Sequence, residues 1–266
     1  MDKASIGGVA LGLGGVFIGN MLEGGSLGQI LQPTAALIVL GGTIGATMLQ
    51  FPLSTLVRAV KGLGSVFKEP PDSSTDLVEE IVRYATTARK DGILALESLA
   101  PRASDPFLGR ALMMAVDGAD STAMRESLEP SVAHMEEAGE DLAKVYEAAG
   151  GYSPTIGIIG AVLGLIQVME NLSDIAAVGH GIATAFVATI YGVAFANLVA
   201  LPVAGKLKMR TRSLIASKEL ILEGALAIQQ GMNPKLIRER LTSFTVAEDH
   251  SSNKNAVSSE QARAAA

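Results

Sequence analysis

Four blocks of the chain carry no Asp, Glu, Lys or Arg: residues 4–22, 24–57, 148–169 and 175–205. Crossing the hydrocarbon core of a bilayer takes ~20 mainly apolar residues, so each block is long enough. The blocks come in two pairs, separated by a middle segment in which acidic residues outnumber basic ones. The pattern predicts a membrane protein with two early spans, at about 4–22 and 33–51, and two late ones, at about 152–170 and 182–203.

The polar stretches read as helices. Asp76 with Glu79 three residues on has the form of a capping box, and Leu77, Ile81, Tyr84, Ala85 and Ala88 recur at helical spacing. "RKDGILALESLAP" restarts after Gly92 and stops before Pro101, and "PFLGRALMMAVDGAD" is a short apolar helix ended by Gly118. From Met124 a stripe continues through Leu128, Val132, Met135, Ala138, Leu142 and Val145, predicting one long amphipathic helix that leads into the third span. Past the fourth span a helix runs to a cap at Gly231, and Asn233-Pro234 opens another. No internal repeat is evident.

The expected fold class is therefore all-α, with four transmembrane helices, a helical cytoplasmic domain between the second and third, and cytoplasmic termini. Residues 1–57 hold the first two spans, 58–149 the cytoplasmic domain, and 150–204 the last two spans. Cytoplasmic helices at 205–245 follow, then a polar tail at 246–266 whose composition predicts disorder.

Composition agrees. Only 18% of residues are charged, against the ~25% usual in soluble domains. The basic residues set the orientation: the links 23–32 and 170–181 contain none, whereas Arg58, Lys61 and Lys68 follow the second span and Lys206, Lys208, Arg210 and Arg212 the fourth. Lys and Arg collect on the cytoplasmic side. A cleaved signal peptide is the competing reading of 4–22, but its basic head would be Lys3 alone, and "GNMLEGGSLGQ" offers no A-x-A-like exit. The chain has no Cys, which removes disulfides and thiolate metal sites and fits a reducing compartment.

Little points to an enzyme. The histidines (134, 180 and 250) are scattered, with His180 expected in an outer loop, and no G-x-x-x-x-G-K-[ST] occurs. No cofactor, metal or nucleic acid is implied. The spans contain Thr155, Gln167, Thr184, Thr189, Tyr191 and Asn197 but no carboxylate, the group an ion path normally shows. These polar groups either bond neighbouring helices and their own turns, or line a path whose carboxylate comes from another protein. A secondary transporter would want an intramembrane charge or inverted repeats, and neither is seen. Pro154 is expected at the start of the third span, where a missing N–H is tolerated, and Pro202 at the close of the fourth.

"GGYSPTIGIIGAVLGLIQVM" followed by "GHGIATAFVATIYGVAFANLVALPVAGKLK" resembles the paired third and fourth spans of the MotA/TolQ/ExbB proton-channel family. The two early spans and "ATTARKDGILALES" resemble its MotA and PomA branch, the flagellar stator subunits, and the likeness covers about residues 1–245. This resemblance implies a homo-pentamer around a dimer of a MotB-like single-span partner that supplies the ion-binding Asp. The pentamer would turn in the bacterial inner membrane and push on the rotor protein FliG. It assigns Thr155 and Thr189 to hydroxyl positions facing that Asp, Pro154 and Pro202 to coupling, and Arg89 and Glu97 to the rotor contact. Sodium-type members resemble "IGT" and "TT" where this chain has "IGA", ending at Ala161, and Ala188-Thr189, so proton coupling is implied. An ExbB- or TolQ-like energiser of an outer-membrane system is the alternative, and such proteins have one span before the cytoplasmic domain.

Overall fold

The computed structural model describes residues 2–68 and 74–243; the tail expected at 246–266 lies outside the described residues. In chain order the helices are α1 (Lys3–Leu22), α2 (Leu27–Ile30), α3 (Pro33–Gln50), α4 (Leu53–Val66), α5 (Ser74–Asp91), α6 (Pro106–Val116), α7 (Ser121–Glu170), α8 (Ile175–Ala194) and α9 (Leu201–Gln229). A further helix, α10, covers 234–243. Short 3-10 turns occupy Ile93–Leu96 and Ala100–Arg102, and a π-helical stretch, Phe195–Ala200, joins α8 to α9. No strand occurs among the described residues. The chain forms two compact units: Met1–Pro70 with Ala138–Arg210, and Pro71–Glu137 with Thr211–Ala266.

The first unit holds the apolar blocks. Among the described residues, four helices are long and apolar enough to cross a membrane: α1, α3, α7, and the continuous Ile175–Gln229 run. Within this unit many of their large apolar side chains stay outside, as with Leu49 at 92% exposed and Phe186 at 69%, an arrangement that suits lipid and not water. Local chemistry explains the ends. Asp2 caps α1 by accepting from the Ala4 and Ser5 amides (3.1 and 3.3 Å). α3 opens on Pro33 and stops before Phe51, which is extended (φ −119°, ψ 145°) because Pro52 follows it.

The second unit has an ordinary core of large side chains. Ile81, Leu96, Leu108, Leu112, Met124 and Leu128 are at most 1% exposed and meet Leu220, Ile221, Ile237 and Leu241. Gly118 ends α6 in the left-handed region (φ 82°), with the Ala119 amide donating back to the Met114 carbonyl at 3.1 Å. Gly231 ends α9 likewise (φ 68°), and the Asn233 side chain caps α10 through the Lys235 amide at 3.0 Å.

Several expectations need correction. α5 starts at Ser74, so Asp76 is not a cap; it lies in the first turn, where a negative charge meets the positive helix end. Residues 93–102 are 3-10 turns and no restarted α-helix, since Gly92 breaks the path at φ 84° and Pro101 lacks an N–H. The fourth spanning helix begins at Ile175 and not 182, because Asp174 caps it by accepting from the Ala176 and Ala177 amides (2.9 and 3.2 Å). His180 is consequently an exposed helical residue, not part of a loop.

Candidate functional site

α7 and α8 run antiparallel at backbone contact. Gly164 lies against Gly181, Gly160 against Ala188, and Gly157 against the stretch from Ala188 to Gly192. A side-chain carbon on Gly192 would stand 2.5 Å from the Ser153 carbonyl oxygen, and one on Gly157 2.9 Å from that of Ala188. Lipid gives no reward for burying apolar groups between helices, so close approach through small residues is what holds such pairs. The signal was present in "GIIGAVLG", whose glycines recur at three and four residues.

α3 covers the third side of this pair. Ala35 and Val39 pack with Val187 and Ala188, and a carbon on Gly42 would touch Ile156 at 2.8 Å. A polar cluster fixes the head of α3. The Tyr191 hydroxyl donates to the Ile30 carbonyl (2.6 Å) and accepts from the Gln32 amide (3.3 Å), while the Thr184 hydroxyl lies within reach of Gln32 Oε1 (3.1 Å).

The two prolines sit inside helical structure and not at its ends. Pro154 lies within α7, where it has no N–H to give the Gly150 carbonyl, four residues back. Pro202 is the second residue of α9, and the helix runs on past it to Gln229, as the expected helix beyond the fourth span requires. The π stretch absorbs the lost bond at Pro202: the Leu201 amide reaches back five residues to the Ala196 carbonyl. The altered turns face each other. Carbons placed on Gly150 and Gly192 would meet Leu201 (2.8 Å) and the Pro154 Cα (3.2 Å) respectively.

The site hydroxyls bond their own turns in the isolated chain. Thr155 is exposed and donates to the Tyr152 carbonyl (2.8 Å); Thr189 is half-buried and donates to that of Ala185 (3.3 Å). Each keeps its oxygen lone pairs. Ala161 is half-buried, whereas Ala188 is wholly buried against α3 and α7. The structure therefore separates the two alanines. Two hydroxyls that sequence reasoning passed over, Thr43 and Ser153, are buried in this unit with no hydrogen-bond partner among the described residues.

Arg89, near the end of α5, and Glu97, just past the first 3-10 turn, are both exposed and in no ion pair among the described residues. They belong to separate elements, so no single helix sets the angle between them. Sequence reasoning also passed over Asp2, which pairs with Lys206 while its amide donates to the Phe67 carbonyl at 3.0 Å. The hydrogen bond from Lys206, then that from the Ser5 amide, hold the Asp2 carboxyl down at about 2.

Comparison with known proteins agrees with this architecture. The profile of the MotA/TolQ/ExbB proton channel family matches residues 100–220, and that of the motility protein A N-terminal region matches residues 6–92. Motility protein A of Bacillus subtilis is 33% identical over 94% of this chain and 93% of its own length. Chemotaxis protein PomA of Vibrio alginolyticus is 34% identical over 92% and 95%. Among solved structures, C. jejuni MotAB superposes with a TM-score of 0.87 at 32% identity, covering 92% of this chain and 96% of that one. The flagellar MotAB stator complex from Bacillus subtilis superposes at 0.85 and 33% identity, covering 94% and 98%. The chain belongs to the MotA/TolQ/ExbB proton channel family.

Proposed function

We propose that the chain is a flagellar motor stator subunit, five copies of which surround two copies of a MotB-like single-span partner in the bacterial inner membrane, with both termini cytoplasmic. The partner supplies the ion-binding Asp, ion passage turns the ring, and the ring drives FliG. One observation carries this reading: four spans hold no carboxylate, yet Thr155 presents a hydroxyl on an exposed helix face one residue after Pro154. A path so furnished needs its acid from another chain. Flux measured in vesicles with this chain alone, and with the partner added, tests it. The expected result is flux in the second case only; robust flux from this chain by itself would sink the shared channel. The energiser alternative is not favoured, since two spanning helices precede the second unit and the relatives named above are motility proteins.

Pro154 and Pro202 act in this reading as the coupling elements, because both lie where the regular helical ladder is broken and the two breaks face each other. Thr155 and Thr189 offer oxygens to the partner's Asp. The coupling ion is a proton, which needs only an acceptor and a route, whereas sodium needs several oxygen ligands. Burial narrows the argument. A hydroxyl in place of Ala188 would point among α3 and α7, so the missing ligand that counts is the one at Ala161. Rotation in sodium-free buffer that stops on adding a protonophore is the expected behaviour. Arg89 and Glu97 meet the rotor, and reversing either charge should stop swimming while leaving assembly with the partner intact, since exposed charges contribute little to stability.

A further inference from the structure

We propose that Glu80 is a positioning residue for torque transfer, a buried carboxylate that holds the segment bearing Glu97 in register with the helix bearing Arg89. The proposal rests on the rotor-contact reading of those two residues.

The segment is weakly made. It leaves α5 at Gly92 and descends through 3-10 bonds, from the Ala95 amide to the Gly92 carbonyl (3.1 Å), Leu99 to Leu96 (3.0 Å) and Arg102 to Leu99 (2.9 Å). Such bonds have poorer geometry than those of an α-helix and sustain only short runs. Leu96 and Ala100 anchor it in the core, and Gly109 of α6 admits the Ala100 carbonyl, which would stand 2.6 Å from a side-chain carbon there. Leu94 and Glu97 remain exposed.

The far end is fastened by Glu80, only 7% exposed on the buried face of α5. Its Oε1 accepts from the Ser104 amide (3.0 Å) and the Tyr84 hydroxyl (3.0 Å), and its Oε2 accepts from the Ser104 hydroxyl. No Lys or Arg pairs with it among the described residues. A buried carboxylate is costly unless fully hydrogen-bonded, and two of these three donors come from one residue at the end of the segment. The contact spans 24 positions, and both Arg89 and Glu97 lie inside the ring it closes. The Gly92 turn and the Glu80–Ser104 bonds together set how the two charges are presented.

The test uses the full chain with its MotB-like partner. In Glu80→Ala, backbone amide exchange over residues 99–104 should quicken, by about tenfold at Ser104 for the loss of one charge-assisted bond. Bead rotation should show the usual number of stepwise speed increments, each smaller than in the wild type. Glu80→Gln restores both readouts, because its amide oxygen accepts the Oε1 donors and its NH2 donates to the Ser104 hydroxyl. Tyr84→Phe, which removes only the donor outside the segment, should leave the steps unchanged. Where Glu80→Ala fails to assemble, Ser104→Ala, which removes the hydroxyl donor and keeps the amide one, should move both readouts the same way by a smaller amount. Unchanged exchange would overturn the fastening, and fewer steps of normal height would reduce Glu80 to a stability role. Quickened exchange with normal steps would overturn the rotor-contact reading instead, and the positioning role with it.

Discussion

The two units of this chain are held together by opposite means. The second unit fills its interior with Leu, Ile and Met, as a water-exposed domain must, because removing that surface from water is its main source of stability. The first unit holds α7 to α8 by leaving side chains out: Gly157, Gly164, Gly181 and Gly192 let backbone meet backbone. Its largest apolar side chains point away from the contact. The difference is one of solvent. In lipid an outward leucine loses nothing, so packing quality and polar contacts decide which helices pair.

The sharpest way to break that comparison is at Gly192. Any side chain there must displace the Ser153 carbonyl, a backbone atom that cannot swing aside. Gly192→Val should abolish recovery of folded chain from detergent, and Gly192→Ala should lower its melting temperature strongly. Gly41→Ala is the control, since nothing lies within 4 Å of a carbon added at that position, and it should be neutral or slightly stabilising. Equal damage at both glycines would refute the close-approach account.

In the second unit the corresponding change is to make a hole. Leu112 is 0% exposed, and Leu112→Ala should cost about 2–5 kcal/mol, the range for a truncated core leucine. Circular-dichroism melting of the purified chain would show it. A cost below ~1 kcal/mol would mean that this core is loosely filled and that the contrast between the units is false.

How much of this was readable beforehand follows the same division. The charge-free blocks announced four spans, and Gly118, Gly231 and Asn233-Pro234 marked helix ends correctly, because each acts through its own neighbours. Pro154 misled, since its local preference for a helix start gave way to the packing of α7 on Gly192. The π stretch was invisible for a related reason: a bond from Leu201 to Ala196 follows from how Pro202 is accommodated in a helix that continues, which no local pattern records. Glu80 had no place in that reading, because its role depends on Ser104, far along the chain, closing on it.

The units also answer pH differently, and a smaller effect is expected at Asp2. Its carboxyl is held at about 2, below its ordinary value of 3.8, chiefly by Lys206. A depressed acid stabilises the fold above its unfolded value and loses that contribution as pH falls through the folded one. Asp2→Asn should therefore melt earlier than the wild type at neutral pH, with the gap closing as pH falls from 3.8 toward 2. Lys206→Gln should behave alike, and the double variant should be no worse than either single one, because each already removes the pair. Additive losses would mean that the two residues act separately.

The smallest effect, of opposite sign, belongs to Glu219 in the second unit. Its carboxyl is pushed above the ordinary 4.5, first by partial desolvation against its neighbours and then by the charge of Glu136. Arg125, which shares their cleft, is already engaged by Glu129 (2.8 Å) and Glu223 (2.7 Å) and so is not free to neutralise them. For an acid raised in the folded state, stability is whole below the unfolded value and declines as pH rises through the folded one. Glu219→Gln should thus match the wild type below pH 4.5 and melt slightly later above it. Glu136→Gln should recover only part of that gain, since its charge is the lesser cause. Solvent around the exposed Glu219 screens the charge of Glu136, so the stability gain is expected to be slight. A Glu219→Gln chain less stable than the wild type at neutral pH would show that the carboxylate is a favourable partner in the cleft, and the proposed repulsion with Glu136 would have to be abandoned.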